Sequence, residues 1–482
     1  MMKNIVLIEP AAPGFHIYSR YLLPRLGLPI FGAMLKNRGY NVTIFHQDSA
    51  PLNWEKILTA DLVGISTITS TATVAYSIIS RIKSFNPSIP VIIGGPHVTF
   101  LADEAINKGA DFVVRREGDE TFPQLLNWLE NSNSDIKLID GISYKTGNKI
   151  FHNKDREYFQ DLDSLPFPDF SLIVNYNKLA NIALQTSRGC PFDCKFCSVI
   201  KMFGRNCRFH SADYTIEEIR YLKKMMGNKS VFFYDDNFCI NTEKTKILLE
   251  RIIRENLDLK WSAQARIEVG NDKELLTLMR KSGCTVLYIG FESINKDTLA
   301  AFHKKQNIDQ YGESIKNIHK NKIRIHGMFV LGADTDDVNT AKQTADFSLK
   351  NKLDSVQFMI LTPLPGTDTF NELKQENRII NYDWSLYDAH HVVFQPKLMS
   401  PFQLQVTSML EAMPKFYSRI RAAKFALSSI SSASIFLPSW KVKFNNFILT
   451  AYARRLIRKW KKANKEWLGI LKVMDKLGIK RK

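Results

Sequence analysis

Cysteine is scarce in this chain, with six in 482 residues and none before Cys190. That excludes a disulfide scaffold. Three of the six fall within eight positions, a crowding expected of a metal site in a reducing compartment. The N-terminus runs from Met1 straight into an apolar stretch and lacks the charged-then-apolar build of a secretory signal. Long apolar runs are missing too: Leu62–Ser80 is uncharged but studded with Ser and Thr, and Phe425–Trp440 is Ser-rich and too short to span a bilayer. There is no internal repeat of short period and no low-complexity segment. These absences lead to the expectation of a soluble cytoplasmic protein, with peripheral membrane contact at one end.

Positive charge is what the chain has in excess, +18 overall. Its location matters more than its size. Residues 441–482 hold 14 Lys and Arg against Glu466 and Asp475, and so carry +12 of it. The rest of the chain is ordinary in charge, and no nucleic-acid partner is expected. Apolar residues at 45% and charged ones at 24% are normal globular usage, and the length calls for two or three domains.

Two alternating series organise the chain. In residues 1–135, Asn4–Ile8, Asn41–Phe45, Leu62–Ser66, Val91–Ile93 and Phe112–Val114 read as strands. Pro29–Arg38, Trp54–Leu58, Thr73–Phe85, Leu101–Lys108 and Thr121–Leu129 read as helices between them. This rhythm predicts an open parallel sheet of Rossmann-like type, whose ligands sit beyond the carboxyl ends of the strands. Residues 136–180, polar and then Pro-bearing, read as a linker. Over 181–380 a second series places strands at Ile182–Thr186, Val231–Tyr234, Lys260–Gln264, Val286–Phe291, Arg324–Leu331 and Ser355–Leu361, a partial (β/α)6 barrel. Residues 381–482 read as a helical region ending in a basic amphipathic tail.

The chemistry is concentrated in Thr186-Ser-Arg-Gly-Cys190-Pro-Phe-Asp-Cys194-Lys-Phe-Cys197, a C-x3-C-x2-C loop placed directly after the first barrel strand. Three thiolates at this spacing suit a 4Fe-4S cluster with one iron left open. Zinc with Cys207 or His210 as a fourth ligand is the competing reading, as a scaffold or sensor. Cys207, Cys239 and Cys284 are isolated and read as small buried hydrophobes.

With these residues in view, the chain resembles radical S-adenosylmethionine (SAM) enzymes of the class with an N-terminal cobalamin-binding-type domain. The resemblance covers about residues 1–400. It implies that Cys190, Cys194 and Cys197 hold the cluster, whose open iron chelates SAM, and that reductive cleavage of SAM gives a 5′-deoxyadenosyl radical. It also implies SAM contacts by Phe196, Asp235, Asp236, Gln264, Arg266, Glu292 and Gly332. Ser66, Thr67, Gly94, Gly95 and His97 correspond to loops that contact cobalamin. The Asp-x-His-x-x-Gly motif that supplies a lower cobalt ligand in many cobalamin proteins is absent, since after the first strand the chain reads Glu9-Pro-Ala-Ala-Pro-Gly14.

A methylthiotransferase would carry further cysteines before Cys190. The implied chemistry is methylation, rearrangement or cyclisation at an unactivated carbon of a small-molecule or lipid-like substrate. The alternative is a radical SAM oxidoreductase or cyclase whose cobalamin-type domain is empty. A flavodoxin or ferredoxin would serve as electron donor. In the tail, Phe444, Ile448, Tyr452, Leu456 and Trp460 recur every four residues among basic neighbours, a pattern that suits an interfacial helix on anionic lipid. The competing reading is an amphipathic helix packed on the barrel.

Overall fold

The computed structural model describes residues 2–14, 22–131, 135–421, 423 and 438–478, with side chains from 447 onward in the last segment. The first series forms strands β1 (Asn4–Glu9), β2 (Asn41–His46), β3 (Leu62–Ser66), β4 (Val91–Gly94) and β5 (Phe112–Val114). They pair in parallel in the order β2-β1-β3-β4-β5. The runs are apolar throughout because helices cover both faces of such a sheet. Ile5 and Leu7 face one core and Val6 and Ile8 the other. Strand order reverses at β1 and β3, which opens a crevice at their carboxyl ends.

The expected linker departs from its reading. Residues Ile142–Thr146 (β6) and Lys149–His152 (β7) form an antiparallel hairpin that extends the sheet beyond β5. Gly147-Asn148 makes the two-residue turn, with Gly147 at φ +58°. Only Ile142, Ser143 and Tyr144 of the hairpin are buried, so as an edge pair it carries a weak apolar signal. The chain then packs back on the sheet, where Ile173 bridges Ile44.

The second series begins at β8 (Asn181–Leu184). A short antiparallel ribbon follows, β9 (Ser187–Arg188) with β10 (Arg208–Phe209). Then come β11 (Ser230–Phe233), β12 (Trp261–Ala265), β13 (Cys284–Glu292), β14 (Arg324–Leu331) and β15 (Ser355–Ile360). The six long strands are all parallel and lie side by side in chain order, the partial barrel expected. Their outer face is a continuous apolar layer in which Phe291 stacks on Phe329 at 5.3 Å.

The C-terminal region is helical, as expected, but its apolar stripe is divided. In the helix Pro438–Ala463, Leu456 and Trp460 turn inward and are buried with Ile457, while Ile448 and Tyr452 stay exposed. Phe444 lies outside the described side chains. Docking accounts for the inward half. His391 is bonded through Nδ1 to Asp388 (2.9 Å) and through Nε2 to Asn464 (2.8 Å), and its ring lies 5.4 Å from that of Trp460. Among the described residues no helix is long and apolar enough to cross a membrane.

Trp460→Ala should lower the stability of the C-terminal region by about 3 kcal/mol, the order expected for removing a fully buried large aromatic. Hydrogen exchange over residues 447–476 measures it. Unchanged protection would show that this helix is not docked through Trp460.

Candidate functional site

The cysteine loop is closed at its base by the ribbon. Because Ser187 and Arg188 pair with Phe209 and Arg208, residues 189–207 leave and return at one point. Gly189 sits at φ +95°, and a Cβ there would lie 2.6 Å from Asn206 O, so the crossing needs glycine. Cys190 N–H donates to Gly204 O (3.2 Å) and Cys197 N–H to Cys194 O (3.0 Å). Burial pushes all three thiols up, Cys197 to about 12, and Cys190 and Cys194 are both among the charges felt at Cys197. Among the described residues no three His, Cys, Asp or Glu side chains converge as ligands of a single ion.

The carboxyl ends of the barrel strands surround this loop. Asp235 is fully buried and accepts from Thr186 N (3.1 Å), Thr186 Oγ1 (2.9 Å) and Ser187 Oγ (2.6 Å), fixing the turn that launches the loop. Burial nevertheless raises its pKa. Asp236 lies beside Cys190 and Cys197, and burial first, then Asp235, push its pKa up to about 7. Gln264 Nε2 reaches back to Asp235 O at 3.4 Å. Arg266 stacks on Phe192, 4.0 Å from the ring centre, and pairs with Glu268 at 2.7 Å. Glu292, at φ +60° beyond an irregularity in β13, pairs with Lys304 at 2.8 Å, and both are felt at Cys194.

The cysteines thus gather Asp236, Glu292 and Arg266 around them, with Asp235 and Gln264 in support. Two other expected SAM contacts pack against protein groups. Phe196 packs edge-on against Phe302 at 5.0 Å. Gly332, at φ +104°, donates its N–H to Asp336 (2.9 Å), and a Cβ there would lie 2.6 Å from Leu404.

Across from the loop lies the carboxyl edge of the N-terminal sheet, and a cavity of about 340 Å³ separates the two. Ser66, Gly94 and Gly95 line it from the sheet, and Ser198, Val199, Tyr234 and Asp236 line it from the barrel side. Thr67 does not line it. Its side chain is buried and bonded to Thr71 Oγ1 (2.7 Å) and Ile68 O (3.0 Å). Gly95 (φ +106°) is glycine for an internal reason, because a Cβ would meet Thr67 O at 2.3 Å.

The expected role of His97 is not supported by its place in the fold. Pro96 starts a short helix that turns the imidazole inward, fully buried between Tyr76 (6.1 Å) and Trp384 (5.1 Å), away from the cavity. Among the described lining residues there is no histidine.

Sequence reading missed two features. Arg25 lines the cavity, with its guanidinium on Glu9 (3.2 Å) and Ser66 O (2.9 Å). The loop after β5 carries Glu117 and Asp119, both buried. Asp119 pairs with Arg188 (2.8 Å), and Glu117 pairs with Arg188 (3.3 Å) and Arg208 (2.7 Å). Burial lowers the pKa of Arg188, but Asp119 and Glu117 outweigh it and the pKa is raised. The available signal was Arg116-Glu117-Gly118-Asp119, a charged run just past the carboxyl end of β5.

Comparison with known proteins follows the same division. Residues 184–347 match the radical SAM superfamily and residues 17–126 match the B12 binding domain. An uncharacterized methyltransferase of Pyrococcus horikoshii is 30% identical over 87% of this chain and 93% of its own. Bacteriochlorophyllide d C-12(1)-methyltransferase of Chlorobaculum tepidum is 29% identical over 89% and 88%. The structure of the radical SAM methyltransferase TsrM from Kitasatospora setae, with cobalamin and a 4Fe-4S cluster bound, superposes with a TM-score of 0.69 at 14% identity. The match covers 94% of this chain and 100% of that one, and shows a shared fold.

Glu117→Gln should cost about 3 kcal/mol, because it leaves two buried guanidiniums short of a counter-charge. A fall of that order in the free energy of unfolding, read from denaturant titration, is the expected result. A stability equal to the parent's would mean that the network contributes nothing.

Proposed function

The chain belongs to the radical SAM superfamily, in the class with an N-terminal B12-binding-type domain, and we propose that it methylates an unactivated carbon of a small-molecule substrate. Its cofactors are a 4Fe-4S cluster, SAM and cobalamin. When bound, these supply an electron to cleave SAM, a 5′-deoxyadenosyl radical to take a hydrogen atom from substrate, and a carrier for the methyl group. The cavity shared by the two domains supports the proposal: Ser198 and Val199 of the cysteine loop line it together with Ser66 and Gly94 of the sheet, so that methyl carrier and radical source would share access to one substrate carbon.

The residues present fit these groups. Cys190, Cys194 and Cys197 would hold the cluster, on a loop closed by its own ribbon and braced by Asp235. The cavity walls, apolar at Leu28, Ile65 and Val114 and opened by Gly64 and Gly94, suit the flank of a corrin. Arg25 stands in that lining, held by Glu9, as a fixed cation. Asp236 stands at the cavity wall as a buried carboxyl, its pKa raised by burial and by Asp235. Glu292, at the end of β13, and Arg266, stacked on Phe192 of the cysteine loop, would position SAM.

A low-potential one-electron donor of flavodoxin or ferredoxin type belongs to the same proposal. So does contact of the C-terminal helices with an anionic membrane, which would suit a lipid-like substrate. What supports that contact differs from the expected stripe. Ile448 and Tyr452 are exposed, and Arg455, Lys459 and Lys462 follow them at alternating steps of three and four along the same helix.

Anaerobically reconstituted protein given SAM, hydroxocobalamin and a reductant should form both S-adenosylhomocysteine and 5′-deoxyadenosine. 5′-Deoxyadenosine alone would sink methyl transfer in favour of an oxidoreductase or cyclase, and neither product would exclude a radical SAM reaction. Ala at any of the three cysteines should abolish the cluster's visible absorbance and both products. The triple substitution Arg455→Gln, Lys459→Gln, Lys462→Gln should weaken flotation with phosphatidylglycerol vesicles at low salt. Equal flotation of parent and variant, or none for either, would defeat the membrane contact.

A further inference from the structure

Lys304 belongs to none of the sequence motifs, yet the fold buries it on the segment that packs against the cysteine loop. The segment Phe302–Lys304 is stitched to that loop at three points. Lys195 N–H donates to Phe302 O (3.2 Å), Phe196 packs edge-on to Phe302 (5.0 Å), and His303 Nδ1 lies 3.9 Å from the Asp193 carboxylate. These contacts leave the Lys304 side chain 9% exposed, with Nζ 2.8 Å from Glu292. The same loop segment is covered from β12 by Arg266, stacked on Phe192 and donating to Lys305 O.

We propose that Lys304 tunes the cluster: its buried positive charge beside Cys194 favours the reduced state, and its partner Glu292 acts in the opposite sense. The inference rests on Cys190, Cys194 and Cys197 being the cluster ligands. Reduction takes one electron from an external low-potential donor and moves the core from its two-plus to its one-plus state. No bond is made or broken and no proton is taken up, so the site gains one negative charge. A cation held in a water-poor surround stabilises that charge far more than an exposed lysine could, because solvent screening is reduced. Net charge around the cluster is one of the determinants of its potential.

Several observations bear on whether Lys304 is charged and near enough. Lys304 meets the Glu292 carboxylate at 2.8 Å, a charge-assisted hydrogen bond that favours its charged form in spite of burial. Arg266 brings a second cation against the same loop, through Phe192. Glu268, the partner of Arg266, is 42% exposed and therefore screened. On the other side of the loop the neighbouring charge is Asp236, beside Cys190 and Cys197. Arg266 and the Lys304–Glu292 pair thus lie on the β12 and β13 side of the loop, and Asp236 on the side of the shared cavity.

The test is a potentiometric titration of reconstituted full-length protein without SAM, followed by the electron paramagnetic resonance of the reduced cluster, with iron and sulfide assayed alongside. Lys304→Met should lower the reduction potential, Lys304→Arg should hold it near the parent's, and Glu292→Gln should raise it. Opposite signs from the two halves of one ion pair are not expected of a purely structural stitch. Unchanged potentials at full iron content, or shifts of the same sign, would overturn the proposal. So would loss of iron in Lys304→Met with no shift in Glu292→Gln. A parent protein that gives no cluster signal would instead refute the cysteine assignment.

Discussion

Four charges are buried together where the N-terminal sheet meets the cysteine loop. Glu117 and Asp119, from the turn after β5, take up Arg188 and Arg208, one from each strand of the ribbon that closes the loop. Removing such ions from water costs several kcal/mol each, and only close, multiply bonded geometry offsets it. Glu117 also accepts from Phe159 N at 2.9 Å, and Arg208 donates to Phe159 O (2.6 Å) and Phe203 O (2.8 Å). A displacement of the loop would break several of these bonds at once, so the network allows one seat for the loop against the sheet. The position of the three thiols relative to the carboxyl edge of β1, β3 and β4 follows from it.

Asp235 does the corresponding work from the barrel side, taking Thr186 and Ser187 just before the ribbon begins. With the loop held from both sides, the space between it and the sheet becomes a cavity with walls from two domains. Its polar groups then have separate places. Arg25 is braced on the sheet by Glu9, Asp236 stands at the barrel wall beside two thiols, and Lys304 with Arg266 lies behind the loop.

The sequence disclosed elements whose signal is local. Strands buried on both faces, such as Ile5–Ile8 and Leu62–Ile65, read as apolar runs, and the C-x3-C-x2-C spacing marks itself. What it concealed depends on partners far along the chain or on which way a loop turns. The hairpin β6–β7 is half exposed, so its alternation is blurred. His97 follows two glycines in a loop placed as expected, but the helix beginning at Pro96 turns it toward Trp384, nearly 300 residues on. The tail's four-residue period described an amphipathic helix correctly and did not say that its inner half faces protein. Lys304 and Arg25 carry no motif at all, and only the fold brings them to the thiols and the cavity.

The cysteine loop and the N-terminal sheet open on one cavity, across which a cluster on the loop and a corrinoid on the sheet would face each other. Magnetic interaction between the reduced cluster and bound cob(II)alamin measures this directly, because both are paramagnetic and their coupling falls steeply with distance. In protein carrying both cofactors, the cob(II)alamin signal should broaden and relax faster once the cluster is reduced. A cob(II)alamin spectrum and relaxation rate indifferent to the state of a fully loaded cluster would contradict the account.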